Sequence, residues 1–441
     1  MIDSTVSAAP FAFDEQIEHL RQKINLPTDG YMDIYGDMHN HAFVVAGANT
    51  AELVSDFRTA VADAIENGKT LEQFAKTFDE IVQKHNWNYH GNRDWRSRLI
   101  YDTNMYSSYN RGRYAQQRDM MNIMPYWQYE HHDNGNPRLE HKRLDGKVIL
   151  ASDPWWNTYY PTRGYGCHCT VRALDDVDLE IEELSVEEAP PIEYEERTVG
   201  TRSFLRKPQT MIVPKGVDPS FYQPQRLTPI HNVDQMLMAR LANNPRLSPE
   251  FVSGQIRHLM DNPIIKEAMN QSMKHWVDGV SSYLSTGDSK LLSQIENFKY
   301  LGALPKEVLD ELPKLLGDKV LSSAVIAMDR GQMVHALRDV KKRAGIALPD
   351  EFWEKLPEYI QNPDAILWET GQDVPTLLFV YGADRGKVAL KVNYKAKAFD
   401  GDGDKWTTAL NMVVTGSTIK HDDEFVHMKN SYQLLFGKLD W

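Results

Sequence analysis

The sequence predicts a multidomain α+β protein, on three observations. At 441 residues the chain exceeds one ordinary hydrophobic core. Apolar residues recur at helical spacing in the first third and again in the middle, whereas residues 365–415 hold short alternating runs of strand type. Between them lies a stretch rich in acids and proline, the composition of a connector rather than a core. The expected architecture is a helical N-terminal region with a small loop-rich β unit, an extended acidic linker, a helical segment, and C-terminal helices with an antiparallel sheet. The corresponding bounds are an arm at 1–30, a domain at 31–174, a linker at 175–230, a helical region at 231–330 and a last domain at 331–441.

Composition narrows the function classes. Apolar residues make up 41% and aromatics 10%, enough to pack cores and to argue against wholesale disorder. A net charge of −13 excludes a histone-like, non-specific polyanion binder, so any nucleic-acid contact must use a local patch. Two cysteines cannot build a disulfide framework, and Cys167 and Cys169 are too close in sequence for an unstrained loop-closing bridge. The N-terminal residues carry no signal-peptide pattern and no stretch approaches a membrane span, so the expectation is a soluble protein made in the cytoplasm.

The helices follow from their caps. Thr50 precedes Leu53, Phe57, Val61 and Ile65 at i, i+4 spacing, and Gly68 supplies a left-handed stop. Thr70 with Gln73 makes a capping box ahead of Leu71, Phe74, Phe78, Ile81 and Val82. From Asp94 a third helix carries Arg96, Arg98, Arg111, Arg113 and Arg118 beside Trp95, Tyr106, Tyr109 and Tyr114. Such a helix could touch DNA phosphates or an acidic protein, or be a salt-bridged, solvated face.

Residues 121–173 then change to short polar turns with Gly, Pro and Trp in quick succession. The order His141, Leu144-Asp145-Gly146, Pro154, Trp156, Pro161, Gly166, Cys167 and Cys169 resembles, in residue type and spacing, the signature of Mu F-like phage head morphogenesis proteins. The resemblance extends over about residues 12–174. It departs from the family at His168, where an Arg commonly separates the two cysteines. It implies a minor head protein of a tailed phage, located in the virion and assembled in the host cytoplasm. Its implied partners are the portal or major capsid proteins and the genomic DNA inside the head, with which such a protein could be ejected.

Within that motif, Asp145-Gly146 is expected to turn between short strands, and Trp155 and Trp156 to cover the turn or a subunit contact. His141, Cys167 and Cys169 are ligands of zinc type in one small unit, and His131, His132 or His168 could complete a tetrahedral structural site. The alternative is that both cysteines are simply small buried hydrophobes.

Residues 175–196 hold eleven acids and no base, and Pro190, Pro191, Pro208, Pro214, Pro219 and Pro224 keep the next segment extended. This is either an acidic arm for a basic portal or capsid surface or a solubilising tether. Helical signals return at about 231–329, with Met236, Leu237, Leu241, Phe251, Ile256, Leu259 and Met260 as candidate core positions.

The last domain shows candidate strands at 365–369, 376–381, 387–394 and 409–415, the third with Lys387, Lys391 and Lys395 on one face. The segment LPDEFWEKLPEYIQNPDAIL, the strands and the closing YQLLFG resemble phage-encoded barnase, EndoU, colicin and RelE-like nuclease domains. That resemblance implies metal-independent cleavage of RNA, a second functional class. Lys391 and Lys395 would stabilise phosphate charge, His421 or His427 would exchange protons, and Asn393, Thr415 and Ser417 would position the phosphate. Against it, lysines on an edge strand also guard against aggregation, and His421 adjoins three acids, as in a surface loop. Residues 331–441 hold 14 bases and 16 acids, so the domain is not basic overall.

Overall fold

The computed structural model describes residues 12–31, 33–35, 38–133, 137–199, 208–222, 233–369, 374–399 and 405–439. The fold is α+β, and the chain divides into two units, Met1–Arg226 and Leu227–Trp441.

In the first unit the three expected helices form. Ala51–Glu66 is capped by Thr50, whose hydroxyl accepts from the Leu53 amide, and Leu71–His85 opens with the Thr70/Gln73 capping box. Phe57, Phe74 and Phe78 bury fully between these helices. The third helix, Arg93–Asp119, is capped by Asn92 and has no wide apolar stripe. The helix buries Thr103, Asn104, Asn110 and Gln117 instead. Residues 12–25 are part of this fold rather than an arm. Helix Asp14–Gln22 packs on the long helix and Leu20 enters the core, because Leu20 and Ile24 are apolar side chains whose burial outweighs a free N-terminus.

The loop-rich unit is a three-stranded antiparallel sheet, with Tyr126–Glu130 between Val148–Leu150 and Thr170–Leu174. Asp145-Gly146 turns from the short helix Leu139–Lys142 into a strand, rather than between two strands. Gly146 takes φ +77° there. Trp155 and Trp156 are 4% and 2% exposed and belong to the core, so neither offers a subunit contact. Pro161 is likewise buried.

The acidic stretch is not extended throughout. Asp175 caps the helix Asp176–Ile181, and strands Tyr194–Val199 and Gln209–Pro214 pair antiparallel. Val213, Val217 and Tyr222 bury in the same cluster as Trp127, Trp156 and the two cysteines. These apolar residues among the prolines return the chain to the core.

The second unit contains a seven-stranded sheet. Its order is Gln433–Gly437, Ala365–Glu369, Thr376–Tyr381, Gly386–Phe399, Lys405–Thr418, Val325–Asp329 and Phe298–Ala303. Every pair is antiparallel except Lys405–Thr418 with Val325–Asp329, which is parallel. Two strands therefore come from 298–329, within the stretch read as helical, and the sheet is mixed. Both are short apolar runs buried along most of their length, which periodicity cannot distinguish from buried helix. Of the expected core positions at 231–329, Met236, Leu237, Leu241, Ile256, Leu259 and Met260 are buried, and Phe251 is half-buried. Thr376–Tyr381 is buried at every position. Phe352 packs edge-on to Tyr381, while Met428 of helix Asp422–Ser431 joins the cluster of Leu378 and Val380.

Candidate functional site

A small unit with little regular ladder must satisfy its backbone polar groups by other means. Here the long helix supplies them at seven-residue intervals, two turns apart on one face. Thr103 accepts from the Gly166 amide (3.0 Å), Asn110 donates to the Cys169 carbonyl (2.9 Å), and Gln117 donates to the Val171 carbonyl (2.7 Å). These bonds hold the Cys-x-Cys segment along the helix.

Held in this way, Cys167 and Cys169 point to one ring nitrogen. His141 Nδ1 lies 3.5 Å from Cys167 Sγ and 3.6 Å from Cys169 Sγ. The three side chains are buried, and their ligand atoms lie within 4.8 Å of one another. His141 Nε2 is 2.7 Å from the Gly216 carbonyl, which can only accept, so Nε2 carries the proton and Nδ1 turns its lone pair to the sulfurs. Cys167 is held well below the usual thiol range, first by its hydrogen bond with Cys169 and, against burial, by His141. Cys169 is pushed up, first by its bond with Cys167 and then by burial.

Of the three further histidines the motif offered, His131 alone turns to the sulfurs, with Nδ1 3.3 Å from Cys169 Sγ. The Asp145 carboxylate accepts from its backbone amide at 2.8 Å, which sets the chain direction there. His132 bonds the Thr170 hydroxyl instead, and His168 pairs with Asp102 at 2.9 Å while stacking on Tyr106. Trp156 donates its indole N–H to the Leu150 carbonyl and packs edge-on to Trp127, walling the site. Gly216 escaped the sequence reading. Its signal was the Pro214-Lys215-Gly216 turn after an alternating strand, and the Val217 amide does close that turn on the Pro214 carbonyl.

Most arginines of the long helix are exposed, and several make contacts within the chain. Arg96 is buried, bonds the Ala46 carbonyl and lies over Trp87, and Arg111 and Arg118 both lie against Tyr114. The solvated, partnered reading of this helix fits these contacts better than a phosphate-binding face.

In the second unit the expected catalytic residues come together only in part: Thr415, Ser417 and His427 line one cavity, whereas Lys391 and Lys395 are separated. Lys391 pairs with Met412 but Lys395 with Ala409, three residues on, so the two lysines face opposite sides of the sheet. The cause is a bulge at 392–393 with Asn393 at φ +55°. Asn393 is occupied in tying down 320–322, accepting from the Ser322 amide and donating to the Val320 carbonyl. Thr415 accepts from Lys341. A cavity of about 390 Å³ is lined by Lys387, Thr415, Ser417, Glu424 and His427, with Lys387 bound to Glu424. His421 is exposed and precedes helix Asp422–Ser431. The strand with the lysines is central, not an edge. No helix among the described residues is long and apolar enough to cross a membrane.

Comparison with known proteins adds the following. Residues 55–172 match the family model described as "Phage Mu protein F like protein". The chain is 24% identical over 354 residues to the "Mu-like prophage FluMu F protein" of Haemophilus influenzae, covering 78% of this chain and 84% of that protein. It is 33% identical over 174 residues to the "Putative capsid assembly protein F" of Escherichia phage Mu, covering 36% of this chain and 40% of that protein. No solved structure matches. The matched residues 55–172 contain most of the capped helices, much of the loop-rich sheet and the His141, Cys167 and Cys169 cluster, so the likeness to Mu F-like phage proteins falls on the region that builds this cluster.

Proposed function

We propose that the protein is a minor head protein of a tailed phage, acting in head morphogenesis at the portal or the inner capsid surface. The observation that carries this reading is the match over residues 55–172, which spans the long helix and the cysteine cluster. It is supported by the likeness to a phage Mu protein named for capsid assembly and by the length of the match to the prophage protein. A structural role also suits the geometry, since the cluster is buried and walled by Trp127 and Trp156 rather than open to a substrate. Eleven acids at 175–196 suit a basic protein neighbour better than DNA. The separation of Lys391 from Lys395 weakens the ribonuclease reading as those two lysines would have carried it.

The test is to disrupt the gene in a producing phage and to analyse precursor heads and purified particles by quantitative mass spectrometry. The expected outcome is a constant low ratio to the major capsid protein and a loss of filled heads on disruption. Absence from both kinds of particle, with normal head yield in the disruptant, overturns the proposal.

A further inference from the structure

We infer that His141, Cys167 and Cys169, with His131 closing the fourth position, form a structural zinc site in the loop-rich unit. Around a tetrahedral zinc, a sulfur at about 2.3 Å and a nitrogen at about 2.05 Å lie about 3.5 Å apart. The sulfur-to-nitrogen distances here are 3.5 and 3.6 Å to His141 and 3.3 Å from Cys169 to His131. Three of the six edges of a coordination tetrahedron are therefore near their bonded lengths, and the ligand atoms of His141, Cys167 and Cys169 all lie within 4.8 Å of one another.

The bonding around the cluster points the same way. His141 Nδ1 offers one lone pair to the two sulfurs that face it, so it can accept from only one of them at a time, and the second nitrogen near Cys169 is that of His131. One cation at their centre would bind both sulfurs and the facing ring nitrogens at once, inside a core of tryptophan and tyrosine. The opposite nitrogen of His141 donates to a backbone carbonyl, the outer contact that orients metal-binding histidines. Two cysteines and two imidazoles select zinc among the common divalent ions, and two thiolates cancel its charge inside a dry core. His131 is half-buried, its Nε2 makes no hydrogen bond, and its Nδ1 already faces Cys169 Sγ at 3.3 Å. Such a site would staple three separate pieces of chain, at 131, 141 and 167–169, and through Gly216 a fourth.

The experiment uses the untagged full chain made in zinc-supplemented medium. Elemental analysis should find about one zinc per chain. Cobalt exchanged into the protein should give the intense visible bands of a four-coordinate ion with a sulfur-to-cobalt charge-transfer band. A mercurial reagent should release the metal to a colorimetric chelator as the two thiols react. Cys169→Ser should lose the charge-transfer intensity in part and hold zinc at least tenfold more weakly. Because a cysteine variant can fail to fold, His131→Ala at the rim serves as the second variant, expected to fold and to bind at least tenfold more weakly. Wild-type protein that is folded, contains less than about a tenth of a zinc per chain and takes up no cobalt overturns the site. Unchanged affinity in His131→Ala overturns the fourth ligand.

Discussion

His141 donates its Nε2 proton to the carbonyl of Gly216, 75 residues further along the chain, at 2.7 Å. This one bond sets the tautomer that turns Nδ1 to Cys167 and Cys169. It also fastens the proline-rich segment to the loop-rich unit, so the stability of that unit depends on residues beyond its sequence motif.

Gly216 should therefore be sensitive to substitution. It sits at φ +80°, and a β-carbon there would lie 2.8 Å from Glu140 Cβ and 3.4 Å from the His141 ring. Gly216→Ala should destabilise the first unit by about 1–3 kcal/mol, through backbone strain and displacement of His141. Urea unfolding followed by tryptophan fluorescence checks this, since Trp127, Trp155 and Trp156 all report on that core. A midpoint equal to wild type would show that the Gly216 contact is dispensable.

Asp234 gives a pH signature to the second unit. It is fully buried beside Gln235, and burial raises its carboxyl to about 7 from the ordinary 3.8. A carboxyl raised in the fold stays protonated where the unfolded chain ionises, so the folded state binds more protons between about pH 4 and pH 7. Stability should fall as pH rises through that window and level off above it. Asp234→Asn abolishes the fall, so it should match wild type near pH 4 and exceed it at pH 8 by about 4 kcal/mol. A difference that does not grow between those pH values would show that the carboxyl is not raised.

The sheet topology predicts which C-terminal fragment folds. Residues 331–441 lack Val325–Asp329, whose parallel pairing with Lys405–Thr418 places Ile326 and Ala327 beside Asn411 and Met412. Asn411 also donates to the Ser323 and Val325 carbonyls in the core. Cutting at 331 exposes an apolar sheet edge and leaves a buried amide unpaired. Expressed alone, 331–441 should aggregate or lack cooperative melting, while 227–441 should be soluble and melt in one transition. A stable, monomeric 331–441 fragment would mean that the two added strands are dispensable.

Much was determined by the sequence alone, where the physics is local. Thr50, Thr70 and Gln73 cap their helices with bonds spanning three residues, and strands 365–369 and 376–381 form where alternation and turn residues place them. His141, Cys167 and Cys169 could be singled out because residue type and spacing carry their chemistry. The tertiary structure decided what depends on distant partners. It chose His131 over His132 and His168 because Thr170 and Asp102 engage the other two. It recruited Gly216, and it drew 298–329 into the C-terminal sheet because short buried runs take their conformation from the neighbours that cover them. It also separated Lys391 from Lys395, since one bulged residue reverses the pleat and sends every later side chain to the other face.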